Sequence, residues 1–517
     1  MKSKTALREF LENGTAIILG IAVIKLLLHL VTNAMGGYGY FRDELYYLAC
    51  TEHLDFGYVD QPPFSIYVLA VNRLLFGDSI SALRLLPALT GAATVFLVGL
   101  IARQLGGGKY AMALAAVGAT ASIVFVAMGS LFSMNCFDIL FWTLGSYLLV
   151  LIIKKGDARL WLILGFVVGL GLLNKVGMLW FGFGIALGLF LTPQRSWLRT
   201  LWPYAAGAIA LLMFLPYIVW NLSHDFAHLE FIRNATSSKY SGLSPMTFLL
   251  GQVLAQNPVT LPLWVGGLTF LLVGREGKAY RLLAFVYLAA LLILIVNGHS
   301  KPEYLSPAYG VLFAAGGVAL ERAFAKRPWI WLKSVCMILL AAGGIVLAPV
   351  VLPVLPVERY ILYADALGIT PSTAEGKQLG KLPQLYADMF GWEGKAAAVA
   401  TVFHALPEEE QKECTIYASN YGRCGAIDFF GRAYGLPRSI GSHNSYWIWG
   451  PRGYTGAILI RLGGRLEDLE RDFGSVVLAG RVTCDYCMPY EDNLPIYVCR
   501  SLRRPLKEFW ADMKHYE

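Results

Sequence analysis

The sequence predicts an α-helical polytopic membrane protein with about 11 transmembrane helices and interfacial helices in its first outer loop, followed by a C-terminal soluble α/β domain. Three observations lead there. Of 517 residues, 56% are apolar and only 15% are charged, against roughly 25% charged in a soluble domain. Runs such as Ile17–Leu28, Leu160–Leu173 and Leu282–Val296 accompany a mean hydropathy of +0.54, more apolar surface than one globular core hides. Composition then changes near Leu352: 25 Lys+Arg stand against 15 Asp+Glu before it, and 18 against 20 after it. An ordinary soluble enzyme is excluded, and the net charge of +8 is read by position along the chain rather than as a sign of nucleic-acid binding.

Residues 1–352 form the expected membrane domain. Apolar stretches near 14–35, 83–103, 110–129, 139–153, 160–174, 176–192, 201–220, 258–274, 280–297, 304–321 and 329–352 have about the length that crosses a bilayer, roughly 17–25 residues. The first follows Lys2, Lys4 and Arg8 but exceeds a signal-peptide core, and no small-residue cleavage pattern follows it. It reads as a retained helix.

Orientation follows from Lys and Arg, which stay on the cytoplasmic side during insertion. With the N-terminus cytoplasmic, seventeen basic residues fall inside, Lys326 and Arg327 among them, and seven outside: Arg42, Arg73, Arg84, Lys175, Arg233, Lys239 and Lys301. Lys25 is left within the first span. Ten acids fall outside and five inside. The expected location is therefore the plasma (inner) membrane, with the C-terminal domain extracytoplasmic.

Residues 353–517 form the expected soluble domain, with strand-like runs at Thr415–Ala418, Ala457–Arg461 and Ser475–Leu478 and a helix-like stretch at Tyr421–Tyr434. An oxidising compartment would permit disulfides there, and Cys414–Cys424 is the expected pair. Cys484-x-x-Cys487 reads as disulfide or free thiol, with half a zinc site as the alternative, although no second Cys or His pair stands at zinc spacing. Cys50, Cys136 and Cys336 read as packing residues.

The first outer loop holds Tyr40-Phe41-Arg42-Asp43-Glu44-Leu45-Tyr46-Tyr47 and then Asp60-Gln61-Pro62-Pro63. Apolar spacing in 44–54 and 64–76 suggests two amphipathic helices in the interface, joined by a Pro-Pro break. Asp43 and Glu44 at a lipid–water boundary are candidate proton acceptors; the alternative is helix capping. Asp138 opens the fourth span from the same face, where an acid needs a partner. Arg84, Lys175 and Lys301 lie on that face too, as phosphate-binding cations or as side chains reaching for headgroups. The expectation is that these acids and cations converge on one cavity open to the outer leaflet.

His224 and His228 have a metal-ligand spacing but read as loop residues. Gly106-Gly107-Gly108-Lys109 reads as a turn, since the full phosphate-loop pattern is absent. The aromatic stretch 442–450 suits either sugar stacking or core packing.

Together, Phe41-Arg42-Asp43-Glu44-Leu45-Tyr46-Tyr47, Asp60-Gln61-Pro62-Pro63, Arg84-Leu85-Leu86-Pro87, Asp138, Gly169-Leu170-Gly171-Leu172-Leu173-Asn174-Lys175 and Lys301-Pro302-Glu303-Tyr304-Leu305-Ser306-Pro307 resemble the C-type membrane glycosyltransferases of the protein O-mannosyltransferase and lipid A aminoarabinosyltransferase superfamily. The resemblance implies inverting transfer of one hexose or pentose from a polyprenyl-phosphate sugar to an acceptor lipid, glycan or protein outside the cytoplasm. It implies Asp43 as base, with Glu44 and Asp138 orienting the acceptor or shaping the pocket. Arg84, Lys175, Lys301 and Tyr304 would bind the donor phosphate. Expected partners are the lipid-linked donor, membrane lipids and the acceptor, with no nucleic acid. No cofactor is firmly predicted and no metal ligand is assigned, although Asp43, Glu44 and Asp138 would suit a divalent cation if they meet. The absence of β-trefoil-like repeats makes a protein acceptor less favoured, and no Trp-Trp-Asp-Tyr-Gly run is present. The alternative function is a transporter or flippase of a polyprenyl-linked or other amphiphilic substrate; transporters commonly show related halves and midplane charges, whereas here the ionisable groups collect at one face, with Lys25 the main exception.

Overall fold

A computed structural model describes residues 14–239, 242–325, 328–373 and 375–517. Lys2, Lys4, Arg8, Lys326, Arg327 and the side chain of Lys239, which entered the charge count, lie outside the described residues. The chain forms two compact units. The first takes the described residues up to Met35, with Phe76–Trp220 and the described residues of Gly242–Leu355; the second takes Gly36–Leu75, Pro356–Glu517 and the described part of Asn221–Ser241.

The first unit is helical. Six helices among the described residues are long and apolar enough to cross a membrane: Thr15–Ala34, Ile80–Gln104, Met134–Lys155, Trp202–Ser223, Gly277–Asn297 and Trp329–Val351. Lys109–Ala121 and Ile123–Ser130 form a pair bent by 64°. The expected spans at 160–174, 176–192 and 258–274 fall on shorter apolar helices, Leu160–Asn174, Met178–Leu191 and Pro258–Val273. The stretch near 304–321 divides into a 3₁₀ segment, Pro302–Ala308, and a helix, Tyr309–Ala323. None of these four reaches the roughly 20 residues of an upright span, so the count of eleven is not established by helix length.

Thr15–Ala34 shows how these helices are solvated. Lys25, His29, Thr32 and Asn33 are buried, while Val23, Ile24, Leu27 and Val31 are exposed. A water-soluble helix does the opposite. An apolar outer face with polar groups turned inward is what a hydrocarbon solvent selects, and it makes this an integral membrane protein. The ammonium of Lys25 donates to the Phe125 carbonyl at 3.2 Å.

The second unit is built on a five-stranded mixed sheet: β1 (Cys414–Ala418), β2 (Ser439–Gly441), β3 (Ile458–Leu462), β4 (Phe473–Val482) and β5 (Leu494–Leu502), in the order β2-β1-β3-β5-β4. β1 runs parallel to β2 and β3, with Ile416 opposite Ser439 and Ile460. β5 runs antiparallel to β3 and β4. The strand-like runs fall on β1, β3 and β4, and the helix-like stretch becomes helix Tyr421–Phe430 and a 3₁₀ turn, Gly431–Tyr434. Tyr417, Leu459, Phe473, Cys499 and Phe509 share one apolar core.

The segment after the first helix departs from expectation. Helix Arg42–Cys50 is buried along nearly its whole length, so it is a packed element rather than one lying half in lipid. Gly422 and Gly425 on helix Tyr421–Phe430 explain the close approach. A Cβ at Gly422 would lie 2.5 Å from Arg42 Cγ, and one at Gly425 would lie 2.8 Å from the Leu45 main chain. Helix Phe64–Phe76 keeps an exposed apolar face of Tyr67, Val71, Leu74 and Leu75, which suits an interfacial position.

The expected Cys414–Cys424 disulfide is not formed; all eight cysteines are free. Cys414 begins β1, whereas Cys424 lies within a helix and its thiol donates to the Ala418 and Ile440 carbonyls. The nine residues between them turn from strand into helix and so separate the two thiols.

Candidate functional site

Within the second unit, the site grows from the start of helix Arg42–Cys50. Glu44 is fully buried, and its Oε2 accepts from the Phe41 amide at 2.8 Å. That contact satisfies an orphan helix N–H and sets the entry of the chain. Asp43, one position earlier, is left with 35% of its side chain exposed. Its Oδ1 accepts from the Tyr421 hydroxyl at 2.9 Å and from Arg42 Nε at 3.2 Å.

Arg42 organises what surrounds Asp43. Nη1 stands 3.4 Å from Asp388 Oδ2 and donates to the Tyr490 hydroxyl at 3.2 Å, while Nη2 lies 3.9 Å from Glu375 Oε1. The guanidinium also lies 5.5 Å from the centre of the Tyr421 ring, within range of a cation–π contact. Asp388 is pushed up to about 7 by burial, with Arg42 pulling the other way and Asp43, Glu375 and Glu491 adding to the rise. Burial also lifts the Tyr421 phenol well above its ordinary value. It is therefore a hydrogen-bond donor at any physiological pH.

Further along, Arg423 Nε donates to both oxygens of buried Glu491, at 3.1 and 2.9 Å, and Lys395 Nζ lies 3.5 Å from the same carboxylate. Burial alone would raise Glu491, but Arg423 and Lys395 outweigh it and hold it below the usual range. Arg42, Asn420, Tyr421, Arg423, His443 and Tyr490 take part in lining a polar cavity of about 350 Å³. Its hydroxyl, amide and guanidinium groups, with the carboxylates of Glu375 and Glu517, suit a hydroxyl-rich ligand.

In the first unit, Asp138, Lys175 and Tyr304 come together. Lys175 caps helix Leu160–Asn174 in extended conformation. Its ammonium lies 3.4 Å from Asp138 Oδ2, donates to Asn135 Oδ1 at 2.8 Å, and stands 5.0 Å from the Tyr304 ring centre. Asn174 reinforces the arrangement by donating to the Met134 carbonyl at 2.8 Å. Asp138 thus has the partner that an acid in an apolar helix requires. Arg84 is buried at the junction of helices Ile80–Leu83 and Leu85–Gln104, and Lys301 is half-buried at the start of the Pro302–Ala308 turn that carries Tyr304. Asp43 and Glu44 belong to the second unit and the other five candidates to the first.

Sequence reasoning passed over Tyr421, Asp388, Glu375 and the Arg423–Glu491 pair. The glycines at 422 and 425 were the available signal: two three apart in a helix mark a face that another backbone approaches. His228 is a packing residue, its Nδ1 3.0 Å from the Val59 carbonyl. No group of three His, Cys, Asp or Glu side chains is arranged to hold a metal among the described residues. In the 442–450 stretch, residues 442–446 are buried, and the Tyr446 hydroxyl donates to Asp428 at 3.0 Å, which is core packing.

Three comparisons bear on this geometry. The model of a dolichyl-phosphate-mannose-protein mannosyltransferase family matches residues 60–220. A lipid A galacturonosyltransferase, RgtD of Rhizobium johnstonii, is 24% identical over 324 residues, covering 61% of this chain and 67% of that protein. Among solved structures, ArnT from Cupriavidus metallidurans bound to undecaprenyl phosphate aligns over 93% of this chain and 97% of its own, with TM-score 0.62 and 13% identity. An oligosaccharyltransferase of Archaeoglobus fulgidus, tethered to an acceptor peptide, aligns over 84% of this chain and 64% of its own, with TM-score 0.54 and 12% identity. These structural likenesses establish the fold.

Proposed function

We propose that this chain is a polytopic C-type glycosyltransferase, a reading supported by the matched family model, the lipid A galacturonosyltransferase relative and the ArnT fold, and that it moves a single hexose or pentose from a polyprenyl-phosphate donor to an acceptor on the extracytoplasmic side. The observation that carries the reading is Asp43, a carboxylate fixed by Tyr421 and Arg42 yet one third open. A general base needs both a fixed direction and access to its proton donor.

In this reading an acceptor hydroxyl attacks the anomeric carbon of the donor from the face opposite the phosphate. Asp43 takes the hydroxyl proton as the new glycosidic bond forms, and the bond from the anomeric carbon to phosphate oxygen breaks with its electron pair on the leaving polyprenyl phosphate. Configuration inverts. Lys175, Arg84 and Lys301 offset the charge that grows on that phosphate, the kind of electrostatic stabilisation that is often the largest catalytic contribution, and Tyr304 donates to it. ArnT bound to undecaprenyl phosphate supports a lipid phosphate as the carrier.

Glu44 supports the helix that presents Asp43, and Asp138 tethers Lys175. The polar cavity beside Arg42 and Tyr421 suits the glycan part of an acceptor lipid or polysaccharide. If the acceptor group is an ionised phosphate, Asp43 positions it rather than deprotonating it. This reading takes the N-terminus as cytoplasmic and counts the shorter apolar helices as spans, for eleven crossings.

The test is incubation of purified protein with defined polyprenyl-phosphate sugars and candidate envelope acceptors, with mass detection of freed polyprenyl phosphate. Acceptor-dependent release supports transfer. Movement of intact lipid-linked sugar across vesicles, with no bond broken, would replace it by the transporter reading. Activity unchanged in chelator would assign the reaction to the protein's own side chains; restoration by one divalent cation would add a metal to it.

A further inference from the structure

We propose that Cys484 and Cys487 form a dithiol that exchanges with a disulfide oxidant, a site distinct from the sugar chemistry. Both cysteines lie in the connection between β4 and β5, which pairs Val482 with Leu494 at its base. The two thiols differ in access. Cys484 is half-buried, whereas Cys487 is only 7% exposed. The Cys487 thiol donates to the Cys484 carbonyl at 3.3 Å. An accessible thiol with a buried partner three residues on divides the labour of exchange into attack and resolution.

The second observation is a buried cation at the same place. Lys395, on helix Trp392–His404, is fully buried, and its ammonium has no hydrogen-bond partner among the described residues. Glu491 at 3.5 Å and the Trp392 ring, 4.6 Å away at its centre, are its other close contacts. Gly391 shows how near it stands to the thiol: a Cβ there would lie 2.7 Å from Cys484 Sγ and 3.0 Å from Lys395 Nζ. The left-handed backbone at Gly391, φ +83°, and the missing side chain leave that space open. The Cys487 thiol and Lys395 together hold Cys484 below its ordinary value, while Cys487 is raised by its bond to Cys484 and by burial. Among the described residues, other charged groups at the loop are Glu491, Glu358, which accepts from the Tyr486 hydroxyl at 2.7 Å, Asp492, whose Oδ1 accepts from the Cys484 amide at 2.7 Å, and neighbouring Asp485.

The Cys484 thiolate attacks one sulfur of the oxidant's disulfide and expels the other as thiolate. Cys487, deprotonated to solvent, then attacks Cys484 sulfur, forming the Cys484–Cys487 bond and releasing the second oxidant sulfur. Two electrons pass from the two cysteines to the oxidant, which leaves as two thiols carrying the two protons. The shared chemistry is a disulfide, whether of a small thiol or of a Cys-x-x-Cys oxidoreductase.

The experiment uses the full chain, reduced in lipid nanodiscs, exposed to oxidised glutathione in one arm and an oxidised Cys-x-x-Cys oxidoreductase in the other, then alkylated and mapped by mass spectrometry. The expected product is a Cys484–Cys487 disulfide in at least one arm; the arm that reacts faster identifies the source. Cys487→Ser should stop at a mixed disulfide on Cys484, whereas Cys484→Ser should leave Cys487 unmodified. Lys395→Gln should move the pH midpoint of Cys484 alkylation upward and slow it several-fold at neutral pH. No disulfide in either arm, or no mixed disulfide with Cys487→Ser, would overturn the proposal. That result would leave sugar transfer untouched, because release of polyprenyl phosphate is read separately.

Discussion

The Tyr421 hydroxyl donates to Asp43 Oδ1 at 2.9 Å, joining two residues of the second unit that stand 378 positions apart in the chain. Burial keeps Tyr421 protonated, so it fixes the carboxylate without competing for the acceptor's proton. Tyr421→Phe removes this bond and leaves the ring packing. Turnover should fall roughly 10–100-fold, the equivalent of one hydrogen bond to a charged group, with little change in the KM for donor. Steady-state kinetics check this.

Asp43→Asn keeps the size of the side chain and abolishes its basicity. Loss of a general base costs roughly 10²–10⁴-fold, and because Asp43 is partly open its replacement should leave the melting temperature nearly unchanged. Full activity in a folded Asp43→Asn protein would remove Asp43 from the role of base.

Lys175 and Asp138 form a largely buried pair at 3.4 Å. Removing one partner strands the other, at a cost of about 3–5 kcal/mol for a buried pair. Lys175→Ala and Asp138→Asn should each lower thermal stability, and the double variant should lose less than the sum of the two. Donor affinity, measured by binding of polyprenyl phosphate, should fall in Lys175→Ala even where Asp138→Asn restores stability.

Asp388 gives a pH signature. Its folded value near 7, against 3.8 for the ordinary group, means that the folded state holds a proton the unfolded chain has lost. This contribution to stability is fully present below about pH 4 and is lost as pH rises through about 7. Asp388→Asn should flatten that part of the curve of melting temperature against pH. An unchanged slope would show that Arg42 keeps Asp388 ionised throughout.

Gly425→Ala places a methyl 2.8 Å from the Leu45 main chain. Helix Arg42–Cys50 must then shift, and overpacking of this kind costs about 1–3 kcal/mol. A lower melting temperature with reduced turnover is expected, whereas Gly394→Ala, with open space around it, should be silent.

The sequence by itself determined the membrane class, the change of composition near Leu352 and the identity of the acids and cations worth following. Hydrophobic run length and charge placement are local properties that lipid and water read directly. Asp43, Lys175 and Asp138 were singled out this way, because a charged group beside an apolar run is conspicuous. Tertiary structure alone decided that Glu44 caps a helix, that Asp138 and Lys175 pair, and that Tyr421, Arg42 and Asp388 surround Asp43. It also decided that Cys414 and Cys424 stay apart and that Lys395 meets Cys484. Each of these depends on which distant segments pack together, and packing partners are chosen by shape and by the need to satisfy buried polar groups, neither of which leaves a periodic trace along the chain.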